Sequence, residues 1–188
     1  MKIAPIIVGI SGASGAIYSL CLLNKLKELD IPRHLIVSEG GLTTLKHECN
    51  ISMRELKELA TEVYSNKDLA AAPSSGSFLT SAMIIAPCSI RTLSGIANSY
   101  NENLMIRAAD VHLKQRRKLI LMVRETPLHS GHLELMKKAS DWGAIIAPPV
   151  PAFWAKPQTI DEMVDDSIDR ILDLLNIQND IKRWPNIT

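Results

Sequence analysis

The chain opens with Ile6-Ile7-Val8-Gly9-Ile10-Ser11-Gly12-Ala13-Ser14-Gly15-Ala16-Ile17-Tyr18, an apolar run that breaks into small residues and then resumes with helical spacing. A continuous Ile/Val run is typical of a strand buried on both faces, as in a parallel sheet. Gly12 and Gly15 let the backbone turn sharply, and the free N–H groups at the start of a helix attract an anion. The stretch therefore predicts a strand, a phosphate-binding loop and a helix, with a strand-to-helix turn that binds nothing as the alternative.

The loop differs from two common nucleotide-binding loops. No Lys-Ser or Lys-Thr follows its glycines, as a P-loop requires, and the glycine spacing does not match G-x-G-x-x-G. Glu39 comes one place late for the acid that holds an adenosine ribose after the second strand. Ser11, Ser14 and Ser38 instead place hydroxyls at the carboxyl ends of predicted strands, where an open α/β sheet binds its ligand. These features favour a mononucleotide such as FMN over NAD.

Composition excludes several classes of protein. The 188 residues are enough to bury a full core as one domain. A formal net charge of +1, with acidic and basic residues intermixed, gives no electrostatic case for a nucleic-acid or membrane partner. No apolar run reaches the ~18 residues of a membrane span, and the start lacks a signal-peptide pattern, so we expect a cytoplasmic protein. The three cysteines are an odd number without metal-ligand spacing, which argues against a disulfide framework and a zinc site.

Strand and helix patterns alternate along the chain, which predicts an open, mostly parallel α/β sheet. The segment 70–80 is small and hydroxylic and interrupts this rhythm, so we predict either a functional loop or a mobile cover. Besides the first strand and helix, the predicted strands are 34–37, 82–86, 118–123 and 144–147. A helix also begins at the hydroxyls of Ser89-x-x-Thr92, and another at the capping box Ser52-x-x-Glu55. The other predicted helices are 42–48, 103–116, 132–142 and 160–175, and Thr159-x-x-Glu162 caps the last of them.

Charged residues fall at two informative places. Arg107 and Lys114 are seven apart on a predicted helix, close to two full turns, so they could converge on one phosphate; an ordinary solvated helix face is the alternative. Arg124 and Glu125 directly follow the apolar strand 118–123. Because burying charge without partners costs several kcal/mol, this pair predicts a ligand or an ion-pair partner.

The sequence resembles the flavin prenyltransferases, which were formerly described as aromatic-acid decarboxylases and are related to FMN-containing cysteine decarboxylases. The matching pieces are individually short, but they occur in the family's order across nearly the whole chain. They are Gly12-Ala13-Ser14-Gly15-Ala16 with Tyr18, Ser75-Gly76-Ser77, Pro87-Cys88-Ser89-x-x-Thr92, Arg107-Ala108-Ala109-Asp110-Val111 through Lys114, Arg124-Glu125-x-Pro127, His132-Leu133-Glu134, Pro157-Gln158 and Arg183-Trp184.

The resemblance implies a single flavodoxin/Rossmann-like, doubly wound domain over 1–188, assembled as a dodecamer with sites between subunits. It also implies a metal-independent transferase, in which dimethylallyl monophosphate alkylates N5 of reduced FMN and a second bond to C6 closes a fourth ring. The product, prenylated FMN, would serve a partner decarboxylase of the ubiquinone-pathway or ferulate type.

The resemblance also implies roles for individual residues. The FMN-binding positions are Gly12, Ala13, Ser14, Ser38, Ser89, Ile90, Arg91, Thr92 and Arg124. The prenyl-donor positions are Arg107, Lys114, Trp154, Arg170 and Trp184, and the groups that act near the reacting ring are Ser14, Glu48 and Glu125. These residue types suit the chemistry, because Arg and Lys stabilise a leaving phosphate and a glutamate with a hydroxyl can move protons. An aromatic wall such as Trp184 would steady an allylic cation. On its local pattern alone, Glu48 is expected to be a solvated helix residue.

One position departs from the family. Phe153-Trp154-Ala155-Lys156-Pro157 has tryptophan where the family has a tyrosine whose phenol contacts the prenyl phosphate. An indole N–H donates one hydrogen bond but accepts none. An FMN protein whose prenyl site has drifted, acting in electron transfer or as a carrier, is therefore one alternative function. An FMN-dependent decarboxylase of peptide cysteines is another, although its Pro-Ala-Ser-Ala-Asn-like signature and early histidine are missing.

Overall fold

A computed structural model describes residues 4–179 and 181–184, and the chain divides into two compact units, 1–148 and 149–188. The first unit is built on a six-stranded sheet whose paired strands all run parallel, in the order β3-β2-β1-β4-β5-β6. Its strands are β1 Ile6–Ile10, β2 Arg33–Val37, β3 Glu62–Ser65, β4 Ala82–Cys88, β5 Lys118–Val123 and β6 Ile145–Ile146. This architecture confirms the predicted doubly wound α/β fold.

The first strand lies at the centre of the sheet, and its neighbours fix where a ligand can bind. Val8 pairs with Leu35 of β2 on one side and with Ile84 of β4 on the other. All five residues of β1 are buried, as the continuous apolar run predicts. The strand order reverses between β1 and β4, and open α/β sheets bind ligands at such a switch point, outside the carboxyl ends of the strands.

Helices connect the strands, and most of them begin at a residue that caps the helix through its side chain. The helices of this unit are α1 Ala16–Glu28, α2 Glu39–Cys49, α3 Met53–Leu59, α4 Ile90–Ala97, α5 Leu104–Lys114 and α6 Ser130–Asp141. Ser38, Ser89 and Asn103 cap α2, α4 and α5, and Ser52 with Glu55 forms the predicted capping box of α3.

The core of the first unit lies between β4, β5 and the helices α4 and α5. Met83, Leu93 and Leu121 are fully buried members of one apolar cluster that both helices share. A Cβ atom at Gly95 would collide with Ile106 Cδ1, so α4 and α5 approach each other at this glycine. This close packing places the last turn of α4 against the first turn of α5.

The strand β3 is an element that the sequence analysis did not predict. It has four residues, Glu62–Ser65, it lies at the edge of the sheet, and Tyr64 in it pairs with Ile36 of β2. Four residues are too few to show a clear alternation of apolar and polar side chains, so the sequence gives only a weak signal for this strand. The strand matters because its end brings the segment that follows it to the ligand-binding edge.

The segment 70–80 is held in place by hydrogen bonds, contrary to the alternative of a mobile cover. Arg117 donates to the carbonyl oxygens of Gly76 and Phe78, both at 2.7 Å, and to Thr80 Oγ1 at 3.2 Å. Thr80 Oγ1 also lies 2.9 Å from Nε2 of the buried His112. Desolvation lowers the pKa of His112 to about 4, so its neutral ring joins this network at neutral pH.

The second unit, 149–188, contains the helix α7, Ile160–Leu174. Thr159 caps it, accepting from the Glu162 N–H at 3.1 Å, as the sequence predicts. A 3-10 turn, Phe153–Ala155, precedes the helix. Among the described residues, none of the helices is long and apolar enough to cross a membrane.

Candidate functional site at the carboxyl edge of the sheet

Ser11 joins the ends of the two strands that flank the switch point. Its hydroxyl donates to the Pro87 carbonyl oxygen at 2.8 Å and accepts from the Ser89 N–H at 2.7 Å, and the side chain is buried. Ser11 lies at the carboxyl end of β1, as predicted, but its hydroxyl connects β1 to β4, and Ser11 is not among the residues that line the cavity. Ser11 therefore shapes the site without lining it.

The loop after β1 lies directly against the start of α2. A Cβ atom at Gly12 would lie 3.1 Å from Gly40 Cα, so glycine at both positions permits this approach. Ser38 caps α2 by accepting from the Gly41 N–H at 3.0 Å. A Cβ atom at Gly41 would lie 2.5 Å from the Ile10 carbonyl oxygen, which also requires glycine there. The ends of β1 and β2 thereby form one continuous floor.

A cavity of about 880 Å³ opens beside this floor. Five of the predicted FMN-binding residues line it: Gly12, Ser38, Ser89, Arg91 and Thr92. The remaining walls come from the ends of β2 and β3, the starts of α2 and α5, the first turn of α3 and the loop before α5. These lining residues are Val37, Glu39, Gly40, Leu42, Met53, Tyr64, Ser65, Asn66, Lys67, Glu102, Asn103, Met105 and Ile106.

Two ion pairs lie among the cavity residues. Glu39 pairs with Lys67 at 2.6 Å, and both side chains are largely exposed, so solvent screens this pair. Arg91 Nη2 lies 3.1 Å from Glu102 Oε1. Lys67 was not predicted as a cavity residue, because it follows β3, a strand that has no clear sequence pattern. The local signal for the end of that strand is Val63-Tyr64, which favours a strand, followed by Ser65-Asn66, which favours a turn.

The residue Glu48 occupies the N-terminus of α1. Its Oε2 accepts from the N–H groups of Gly15 and Ala16, both at 2.8 Å. Burial acts to raise the pKa of Glu48, but hydrogen bonds from Ser14 and from these N–H groups, with the charge of Arg124, outweigh it and lower the pKa. Glu48 is exposed, as expected of a solvated helix residue, but it also binds the start of α1, which its local pattern does not indicate. The anion at the first helix start is the chain's own carboxylate, where we expected a phosphate.

The end of β5 places Arg124 near this carboxylate. The Arg124 N–H donates to the Cys88 carbonyl oxygen at 3.1 Å, which ties the end of β5 to that of β4. Burial raises the pKa of Tyr18, and the Arg124 charge opposes that rise. Glu125 is exposed, and its Oε1 accepts from the Thr126 N–H at 3.0 Å. The side chains of Arg124 and Glu125 are both exposed. The prediction of a ligand or an ion-pair partner assumed that these charges are buried, and that assumption does not hold.

The cations of α5 lie outside the residues that line the cavity. Arg107 donates from Nε to the Ser74 carbonyl oxygen and from Nη1 to Asp110 Oδ2, both at 3.1 Å. Lys114 is the last residue of α5 and is exposed. The first residues of α5 thus line the cavity, whereas Arg107 and Lys114, the predicted cations for the prenyl phosphate, do not.

The other predicted donor-binding residues belong to the second unit. Trp154 and Trp184 form an edge-to-face pair with ring centroids 5.7 Å apart, and Trp184 is 75% exposed. Arg170 pairs with Asp173, whose other carboxylate oxygen accepts from Arg183 at 2.7 Å. Hydrogen bonding from Arg183 is the main cause that lowers the pKa of Asp173. Over the described ranges, 4–179 and 181–184, no cluster of three or more metal-ligating side chains is present.

Comparison with known proteins gives consistent matches over nearly the full length. The Flavoprotein family profile matches residues 1–172. Flavin prenyltransferase UbiX of Thauera aromatica is 49% identical over 180 residues, which cover 95% of this chain and 93% of that protein.

Two solved structures extend these matches. A crystal structure of AnUbiX (PadA1) in complex with FMN and dimethylallyl pyrophosphate superimposes with a TM-score of 0.96 at 39% identity, covering 100% of both chains. A dodecameric FMN-dependent UbiX-like decarboxylase from Escherichia coli O157:H7 gives a TM-score of 0.93 at 41% identity, covering 97% of this chain and 100% of that one.

Proposed function

Since the chain belongs to the Flavoprotein family and, within it, to the flavin prenyltransferases, we propose that it transfers a dimethylallyl group from a phosphate ester to reduced FMN. The overall reaction joins the prenyl group to N5 and C6 of the flavin and releases phosphate, and no metal takes part. The observation that carries this proposal is the cavity at the switch point, which Gly12, Ser38, Ser89 and Thr92 line.

These residues fit FMN chemically. The first turn of α4 presents N–H groups and the hydroxyls of Ser89 and Thr92 in one place, and helix starts of this kind bind phosphate. Gly12 and Gly40 keep the floor free of side chains, so a flat ring could approach the backbone closely. Arg91 would offer a further cation, at the expense of its ion pair with Glu102. A flavin mononucleotide is therefore the ligand that this donor set fits.

The proposed roles of the charged residues rest on the resemblance to the flavin prenyltransferases. Arg107, Lys114 and Arg170 would bind the donor phosphate and stabilise its charge as it leaves. Glu125, exposed beside Arg124 at the end of β5, would move the proton at the flavin ring. Glu48 is held ionised by three donors, so its role would be to fix the loop and to orient the Ser14 hydroxyl rather than to supply a proton.

The aromatic pair of the second unit would line the prenyl group. A π face attracts a cation, and Trp154 and Trp184 present two such faces in edge-to-face contact. Trp154 can donate one hydrogen bond from its indole N–H to the donor phosphate, which would replace the family's phenol in that contact.

We further propose that the working enzyme is a dodecamer, as a similar solved structure is, with each site completed between subunits. The position of Arg107 and Lys114 outside the residues that line the cavity supports a site that needs a second copy. The product would pass to a prenylated-FMN-dependent decarboxylase, and the enzyme would act in the cytoplasm.

The test is release of inorganic phosphate from dimethylallyl monophosphate, measured without oxygen and with reduced FMN. We expect release that requires both FMN and donor and that falls by about a hundredfold in Arg107→Ala. A Lys137→Ala variant, which breaks an exposed ion pair on α6, is the matched control. Binding of FMN without any phosphate release would favour the FMN protein with a drifted prenyl site, and Trp154 is the residue that supports that alternative.

A further inference from the structure

The guanidinium group of Arg107 is held on two sides by its own chain. Nε donates to the Ser74 carbonyl oxygen and Nη1 donates to Asp110 Oδ2, each at 3.1 Å. The Arg107 side chain is 31% exposed and that of Asp110 is 21% exposed, so water screens the ion pair only in part. Within the described residues, Nη2 makes no hydrogen bond and stays available as a donor.

Asp110 is itself fixed by the connection between α4 and α5. Ser99 Oγ donates to its Oδ1 and Asn101 Nδ2 donates to its Oδ2, both at 3.3 Å. The side chain of Asp110 therefore accepts two hydrogen bonds from this connection, besides the one from Arg107 of its own helix. It has little freedom to follow Arg107, and it constrains the arginine instead.

The opposite side of the guanidinium is equally constrained. Ser74 ends the 3-10 turn Ala72–Ser74, and the segment after it is bound by Arg117 at Gly76 and Phe78. The Ser74 carbonyl oxygen is thus a fixed acceptor. Two acceptors on different elements set both the position and the plane of the Arg107 guanidinium.

We propose that Asp110 is a positioning residue for recognition of the donor phosphate, acting through Arg107. An arginine binds a phosphate best when its planar fork is already oriented, because a free side chain loses rotamer entropy on binding. Asp110 orients the fork and leaves Nη2 for the phosphate, at the cost of partly neutralising the arginine. The proposal rests on the proposed function, which assigns Arg107 to the prenyl phosphate.

The test measures donor binding and turnover in Asp110→Asn, which removes the charge and keeps the shape. Dimethylallyl monophosphate is titrated by calorimetry into protein loaded with oxidised FMN, so that no reaction occurs. We expect Kd and KM for the donor to rise about tenfold while kcat and the affinity for FMN stay close to the wild type. Asp141→Asn, which removes a helix-surface ion pair on α6, should leave donor binding unchanged.

The background of Arg107→Ala separates positioning from a structural role. If Asp110 acts through Arg107, then Asp110→Asn weakens donor binding no further in Arg107→Ala. An additional loss in that background, an unchanged Kd, or tighter binding from removal of a competing carboxylate would each overturn the proposal. Should Asp110→Asn fail to fold, Ser99→Ala removes only one hydrogen bond to Asp110 and should raise the donor Kd about twofold to threefold.

The same titration distinguishes this inference from the proposed function. A wild type that binds the donor and yet transfers no prenyl group contradicts the proposed function, while the Kd values of the variants still test Asp110. A wild type that does not bind the donor at all contradicts both.

Discussion

Glu48 shows how one residue can decide what the first loop does. Helix starts attract anions, and here the carboxylate of the following helix, α2, supplies that anion to Gly15 and Ala16 of α1. The carboxylate is exposed and already occupies this helix start. We therefore propose that a ligand phosphate binds at the start of α4, where Ser89 and Thr92 line the cavity together with the starts of α2 and α5.

Replacing Glu48 by Gln tests this role. We expect a loss of about 1 kcal/mol in the free energy of unfolding, since charge-assisted hydrogen bonds lose part of their value in an exposed position. Chemical denaturation at pH 7 measures the loss. Glu134→Gln removes an exposed carboxylate from α6 and serves as the control.

The difference in stability between the wild type and Glu48→Gln should also depend on pH. The pKa of Glu48 is lower in the folded protein than in the unfolded chain, so folding releases its proton. Its contribution is then fully present above the ordinary glutamate pKa near 4.5 and is lost as the pH falls below it. A difference that grows on acidification would contradict this assignment.

Glu125 is the residue that we expect to carry the proton transfer. The change Glu125→Gln should lower kcat by about a hundredfold or more with FMN affinity intact, because an amide cannot transfer the proton. Single-turnover absorbance spectra measure the rate, with Glu134→Gln again as the control. Turnover of Glu125→Gln at the wild-type rate would show that another group moves the proton.

At the scale of elements, the sequence predicted those parts of the fold that have strong periodicity. The apolar runs of β1 and β5 and the hydroxyl caps of α4 and α7 could be recognised because each signal is local. The edge strand β3 could not, because four half-exposed residues carry no clear pattern. The hydrogen bonds of the Ser11 hydroxyl could not be predicted either, because their partners, Pro87 and Ser89, are distant in sequence.

The segment 70–80 provides an element-scale prediction. Arg117 is its principal anchor, so Arg117→Ala should lower the free energy of unfolding by about 2 kcal/mol and expose the segment. Hydrogen exchange should accelerate at residues 74–80 first. Arg116→Ala, a change at the neighbouring exposed arginine, is the control, and equal exchange in both variants would contradict the anchoring role.

The buried His112 of α5 gives this network a pH dependence. Its pKa is about 4 in the folded protein against an ordinary 6.5, so the unfolded chain binds more protons between these values. Stability from this group is therefore complete above pH 6.5 and is lost as the pH falls towards 4. In His112→Asn we expect lower stability at pH 7 but a flatter pH profile, measured by thermal unfolding; an unchanged slope would rule out His112 as its origin.

At the scale of the whole molecule, the residues of the proposed site do not all line one cavity. Gly12, Ser38 and Ser89 line the cavity, whereas Arg107 and Lys114 do not. Sequence resemblance could assign these residues to one reaction, and we propose that assembly brings them together. Subunit contacts have no local periodicity from which to predict them.

Assembly is directly measurable. Light scattering after gel filtration should give a mass near twelve times the 20.8 kDa of one chain, with FMN present or absent. A monomer that nevertheless converts FMN would show that the site is complete in one chain and would contradict the proposed shared site.

The central claim is that this chain prenylates FMN, and the mass of the flavin released after anaerobic incubation with reduced FMN and dimethylallyl monophosphate tests it most directly. We predict that the flavin gains one five-carbon unit, and that neither the sample without donor nor the Arg107→Ala sample does so to the same extent. Recovery of unchanged FMN from protein that binds both FMN and donor would contradict the claim.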